Sequence, residues 1–304
     1  MRVLSGRVLA VYSFCCVVWG STWLVIKIGL QDLPPFHFAA IRMAVACLLM
    51  APFAFRPGVR RPSRAENLLI GVCGMLQIGV AYALVFAAEE RIDSGLAAIL
   101  FCTFPIWVGL LGHFLLPDEP LTARTVAAAF LGLAGVATIE APAILGAFET
   151  GPGPLLFGGL CVLGSSVAAA VANVLNKRWF AGVSPERNVW GQTLSGTALL
   201  ALLAFQFEKG ARLAWTERAI LSVSYLAIVG TSMAFAGLFW LIPRVPVSVI
   251  GTIPLVDTVI AAALGAAVLG ERLPFRVVVG TLGILGGVAL TVSKSPGSRG
   301  AVPP

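Results

Sequence analysis

From Ile99 to Thr138 the chain reads ILFCTFPIWVGLLGHFLLPDEPLTARTVAAAFLGLAGVAT. It is an apolar run, a tight charged corner, then a second apolar run. A run of about 20 apolar residues is what a helix needs to cross about 30 Å of hydrocarbon. No water satisfies the backbone there, so such a run must bond within itself as a helix. The pattern recurs along the chain, giving ten candidate spans at roughly 8–30, 36–55, 68–87, 95–115, 122–139, 154–176, 188–207, 219–241, 247–269 and 275–293. The fold class expected is therefore an all-α polytopic membrane protein. Only 12% of the residues are charged, about half the share usual in a soluble domain, and lipid must be part of the solvent. The net charge of +7 then signals basic loops at a membrane surface rather than a nucleic-acid partner.

The opening stretch has a weaker copy from Val249 to Leu290. A shift of 152 places Glu119 on Glu271, Leu121 on Leu273, Arg124 on Arg276 and Gly135-Val136-Ala137 on Gly287-Val288-Ala289. Pro105 and Pro254 correspond once a three-residue gap is allowed. The link Gly151-Pro152-Gly153-Pro154 marks a seam near the middle. The division expected is a first five-helix half over 1–146, a second over 147–294 and a disordered tail over 295–304.

With the N-terminus placed in the cytoplasm, the inner segments hold thirteen of the 21 basic residues and the outer ones six. Lys27 and Arg42 fall inside spans, toward their outer ends, where snorkelling to the interface is expected; attracting a substrate carboxylate at the outer mouth is the other reading. The bias puts both termini inside. Five spans per half is an odd number, so the halves must be inverted relative to each other.

A site in such a layout lies near the bilayer midplane, between the halves. Polar groups gather at that depth on six spans. Trp19, Ser21 and Thr22 lie on the first, Gln77 and Tyr82 on the third, Thr103 and Trp107 on the fourth. Ser165 and Ser166 lie on the sixth, Thr231 on the eighth, and Thr252 and Asp257 on the ninth. Polar groups are costly there unless paired or facing water, so these residues are the candidate substrate-binding set. Small hydroxyl residues also serve helix packing, which competes for each one singly. Pro105 and Pro254 should kink their helices and free carbonyls at the same depth. Asp257 is open to three roles: proton carrier, counter-charge to a substrate ammonium, or a polar group satisfied by a neighbour. Glu119 and Glu271 should cap the helix that follows each or pair with Arg124 and Arg276. The aromatic side chains suit a mostly apolar or aromatic small molecule with a polar end. The six cysteines fall in apolar runs and read as buried small residues; neither metal ligation nor a cofactor is expected.

With Trp19-Gly20-Ser21-Thr22-Trp23 and Lys27, Pro35 with Arg42, the mid-span prolines and the Glu-x-Leu turns at Glu119 and Glu271, the chain resembles EamA-type carriers of the drug/metabolite transporter superfamily. The resemblance implies ten helices in inverted five-helix halves, and export of metabolites across the bacterial inner membrane. Within the family the chain is most similar to amino-acid exporters, including those for aromatic amino acids. The expected activity is alternating-access export of amino acids by a monomer. Export of drugs or other amphipathic metabolites is the second reading. An intramembrane enzyme finds little support, with no His-Glu-x-x-His, no Gly-x-Ser-x-Gly and no pair of mid-membrane aspartates.

Overall fold

A computed structural model describes residues 6–115, 123–150, 153–180, 182–241, 253–271 and 274–292. Glu119, Gly151, Pro152, Thr252 and the tail 295–304 lie outside the described residues, so the expectations resting on them are not addressed.

Every regular element among the described residues is helical. α1 is Gly6–Gly29, α2 Pro35–Ala54 and α3 Arg64–Gly74. A π-helical turn, Met75–Val80, leads without a break into α4, Ala81–Glu89. α5 is Ser94–Phe101, α6 Phe104–Leu115, α7 Ala123–Thr150, α8 Pro154–Trp179 and α9 Pro185–Phe207. α10, Glu217–Ala227, passes through a second π-turn, Ile228–Met233, into α11, Ala234–Leu241. α12 is Ile253–Leu269 and α13 Phe275–Val292. Six helices are long and apolar enough to cross a bilayer by length and composition, with shorter apolar ones beside them.

Local chemistry sets the boundaries. Pro35, Pro154 and Pro185 open α2, α8 and α9, where an amide hydrogen is dispensable. Ser63 and Glu66 form a reciprocal capping box at α3. Gly270, at φ 68°, makes the turn that ends α12, a backbone region that side chains resist.

The flanks of the molecule are apolar like its core, and a few polar groups are buried inside. Leu48, Phe114, Phe130, Phe275 and Leu282 are exposed on its flanks. Arg42, Glu89, Thr103, Ser165, Ser166 and Thr231 are buried within it. An apolar rim around polar interior groups is what a lipid solvent selects.

The chief packing pairs join early helices to late ones: α7 with α13, α2 with α9, α1 with α12, and α4 and α6 with α8. Small residues permit these approaches. At the α7–α13 crossing a Cβ on Gly135 would sit 2.5 Å from the Gly280 carbonyl oxygen, and one on Gly280 would sit 2.6 Å from that of Gly135.

The connections collect at two ends. At one, the Asp32 end, Arg218 Nε donates to Asp32 Oδ2 at 2.7 Å and Thr216 Oγ1 donates to the same oxygen at 2.7 Å. Those bonds lower the Asp32 pKa to about 2. Two glutamates from late in the chain cap helices from earlier in it that begin here. Glu208 accepts from the Phe36 and His37 amides at 2.7 and 2.9 Å. Glu271 accepts from the Ser94 amide and hydroxyl at 2.8 and 2.7 Å and from the Gly95 amide at 2.9 Å. Among the described residues Glu271 thus caps α5 rather than the helix that follows it, because this turn folds back against the start of α5. At the opposite end, the Arg60 end, Arg56 pairs with Glu186 at 2.7 Å and Arg60 donates to the Gly182 carbonyl at 2.8 Å.

Candidate functional site

The two π-turns lie within the third and the eighth of the expected spans, 68–87 and 219–241. Met75–Val80 and Ile228–Met233 are each six residues long and 153 positions apart, against 152 for the Glu119–Glu271 match. A π-turn carries one extra residue in a helical turn, which offsets the hydrogen-bond ladder and often marks a functional site. The second turn touches much of the expected set. Trp19 Nε1 donates to the Gly230 carbonyl at 3.3 Å, and Thr231 Oγ1 donates to the Leu226 carbonyl at 2.9 Å. Thr22 Oγ1 donates to the Trp19 carbonyl at 2.7 Å, and its methyl would lie 3.0 Å from a Cβ on Gly230. Glycine at 230 is therefore what lets α1 approach the turn.

Arg42 is the side chain the sequence reading misplaced. It does not snorkel: it is 1% exposed. It lies seven residues into α2, about 10 Å along the helix at 1.5 Å per residue. Its Nε donates to Thr231 Oγ1 at 3.3 Å, and its guanidinium sits 5.0 Å from the centre of the Tyr82 ring. Its Nη1 has no hydrogen-bond partner. Lys27 likewise turns inward, donating to the Glu89 and Ile92 carbonyls at 2.5 and 2.7 Å. The end of α4 and the turn into α5 supply those two carbonyls, both from buried residues. Glu89, which the sequence did not single out, is fully buried, and neither of its carboxylate oxygens has a hydrogen-bond partner.

A second cluster forms where α5 stops. The helix breaks at Cys102-Thr103 and restarts as α6 with Pro105 as its second residue, the interruption expected of that proline. Trp107 Nε1 donates to Thr103 Oγ1 at 3.2 Å, and Ser166 Oγ lies 3.2 Å from the same hydroxyl. Ser165 Oγ donates to the Ala81 carbonyl at 2.8 Å, just past the first π-turn. Pro254 is not mid-helix among the described residues: it is the second residue of α12. Its carbonyl is taken, accepting from Thr258 Oγ1 at 2.7 Å and facing Cys102 Sγ at 3.6 Å. The Pro254 carbonyl thus lies beside the first break, at Cys102.

Other members of the set stand apart. Gln77 Oε1 accepts from Asn173 Nδ2 at 2.7 Å. Ser21 Oγ lies 2.6 Å from the Tyr225 hydroxyl. Asp257 is half-buried, 3.5 Å from Thr258 Oγ1. Thr103, Ser165, Ser166 and Thr231 are each at most 1% exposed, so these hydroxyls bond to protein in this conformation. Two open clefts lie at the Asp32 end. One, of about 620 Å³, runs between α1 and α10 down to Tyr225. The other, of about 530 Å³, lies among Gln31, Asp32, Phe36, Arg91, Glu208 and Arg212.

Known proteins resemble this chain along its length. It is 26% identical to the transporter YoaV of Bacillus subtilis over 90% of this chain and 92% of that one. It is 27% identical to the inner membrane transporter YedA of Escherichia coli K12, over 89% of this chain and 84% of that one. It is 26% identical to a Salmonella typhimurium protein named as a probable amino-acid metabolite efflux pump, over 91% of each. A solved crystal structure superposes with a TM-score of 0.64 at 21% identity, covering 94% of this chain and 97% of that chain, which speaks to the fold alone. The sequence model of the EamA-like transporter family matches twice, at residues 6–140 and 156–293, and the chain belongs to that family of membrane transporters in the drug/metabolite transporter superfamily.

Proposed function

We propose that this transporter is a secondary exporter of amino acids, aromatic or large apolar ones above all, working by alternating access between two inverted five-span halves. The two halves are residues 1–146 and 147–294. Both termini face the cytoplasm of a bacterial cell, and the Asp32 end faces out. The observation that carries the reading is the matched pair of π-turns. Each half carries one at the same position, one near Ser165, the other beside Trp19, Thr22 and Thr231. The double match of the family supports the division into halves. The name of the Salmonella relative supports the substrate class.

In this account the structure is a closed state. Hydroxyls that would meet substrate are bonded to protein, and rocking of one half against the other would separate Thr103 from Ser166 and Arg42 from Thr231. Trp19, Trp107 and Tyr82 would supply apolar faces to the side chain of the amino acid. Asp257 and Gln77 remain members of the proposed set at its edge. The chain works as a monomer, with lipid as its only required partner. The test is uptake of labelled amino acids into proteoliposomes preloaded with the same unlabelled amino acid. Saturable exchange of at least one large apolar amino acid supports the reading. Exchange no greater than in empty liposomes for all of them refutes it.

A further inference from the structure

Arg42 and Glu89 are opposite charges, both buried, that do not bond to each other. A structural buried ion pair is held together by direct hydrogen bonds, because only these offset the cost of removing both ions from water. Here Arg42 Nη1 and both Glu89 carboxylate oxygens lack partners. The guanidinium has five donors in a planar fork. Its contacts to Thr231 Oγ1 and the Tyr82 ring are to neutral groups. A fully buried fork with an unused arm is shaped to take a planar anion, and a carboxylate fits it with two parallel bonds.

The surroundings suit that occupant. Arg42 on α2 stands between α4 and the second π-turn, where early and late residues meet. Gly230 of that turn carries no side chain, and a Cβ there would lie 3.6 Å from Arg42 Nη2. The Trp19 indole and the Tyr82 ring border the same place. Lys27 is held to the Glu89 and Ile92 carbonyls, which leaves Arg42, of these two, the cation not anchored by backbone acceptors.

We infer that Arg42 is the carboxylate receptor of the transport site, so that the transported molecule must carry a carboxylate whatever its other end. This rests on the export reading above and narrows its substrate class. Amines of the same shape are excluded, and acids lacking the ammonium group are admitted.

The experiment compares competitors in proteoliposome exchange of phenylalanine and of leucine. For each, one competitor lacks the ammonium group (3-phenylpropionate, 4-methylpentanoate) and one lacks the carboxylate (phenethylamine, isopentylamine). The acids should compete at least tenfold better than the amines, the difference expected of one charge-assisted hydrogen-bonded group. Arg42→Gln should weaken acids and amino acids by more than tenfold and leave the amines unaffected. Arg42→Lys, which keeps the charge but not the fork, should fall between. If Arg42→Gln does not fold, the ranking on the unmodified chain and on Arg42→Lys still decides. Amines competing as well as acids, or Arg42→Gln exchanging amino acids normally, would overturn the inference while exporter activity stands. Failure of the unmodified chain to exchange either amino acid, or any other, would instead bring down the export reading itself.

Discussion

Replacing Glu271 with glutamine should loosen the Asp32 end. The carboxylate receives three donors: the Ser94 amide and hydroxyl on Oε1 and the Gly95 amide on Oε2. Glutamine keeps one acceptor oxygen of the same shape. If that oxygen stays on Ser94, the new NH₂ group faces the Gly95 amide, and a buried N–H is left unpaired at a cost of about 1–3 kcal/mol. The negative charge at the start of α5 is lost as well, worth about 1–2 kcal/mol in a partly buried setting. The sum is about 2–5 kcal/mol, or roughly 30- to 4,000-fold in the opening equilibrium of that cap, at 1.4 kcal/mol per tenfold. Hydrogen exchange of the purified protein reads it directly. Amides at the start of α5 should exchange faster by that factor, while those at the Arg60 end, around Ser63 and Glu66, should be unchanged. An exchange rate for 94–97 within twofold of the unmodified chain would refute the assignment of Glu271 as the cap that ties its turn to α5.

Three further outcomes follow from the geometry. Gly280→Ala puts a methyl 2.6 Å from the Gly135 carbonyl oxygen, so α7 and α13 must separate, at a cost of about 1–3 kcal/mol seen as a lower thermal midpoint in detergent. Asp32, with its pKa lowered from 3.8 to about 2, contributes stability that is complete above pH 4 and lost as pH falls toward 2. Asp32→Asn should flatten the acid limb of the stability curve in that window and leave stability less dependent on pH there. Thr103→Val leaves the Trp107 indole N–H without its acceptor, costing about 1–3 kcal/mol, and should lower exchange and shift indole fluorescence without abolishing folding.

The spans were readable because a bilayer makes helix length and apolarity nearly the same thing. The expected 8–30, 36–55 and 154–176 compare with Gly6–Gly29, Pro35–Ala54 and Pro154–Trp179. The stretch expected at 122–139 runs on to Thr150, past its apolar part, as α7. The π-turns were not readable, since an extra residue in a helical turn alters the backbone ladder and leaves composition unchanged. Arg42 and Glu89 were misread or missed for one reason. Distance from a span end suggests whether a long side chain can reach water, but the direction it points is set by neighbouring helices. A hint existed in the small residues around Arg42, Ala39-Ala40 and Ala44, which leave room for a guanidinium to lie within the bundle. Glu271 shows the same limit at a turn: spacing nominated a cap, and only the packing of α5 told which helix is capped.

Distances between spin labels at both ends of the molecule give the sharpest test of alternation. One cysteine pair, at Glu90 and Glu217, spans the Asp32 end; the other, at Arg61 and Lys177, spans the Arg60 end. All four side chains are exposed, and the six native cysteines are first replaced by alanine. Adding the transported amino acid should lengthen one distance and shorten the other. Two distances that stay fixed, or that change together in the same direction, would contradict halves that rock about a shared centre.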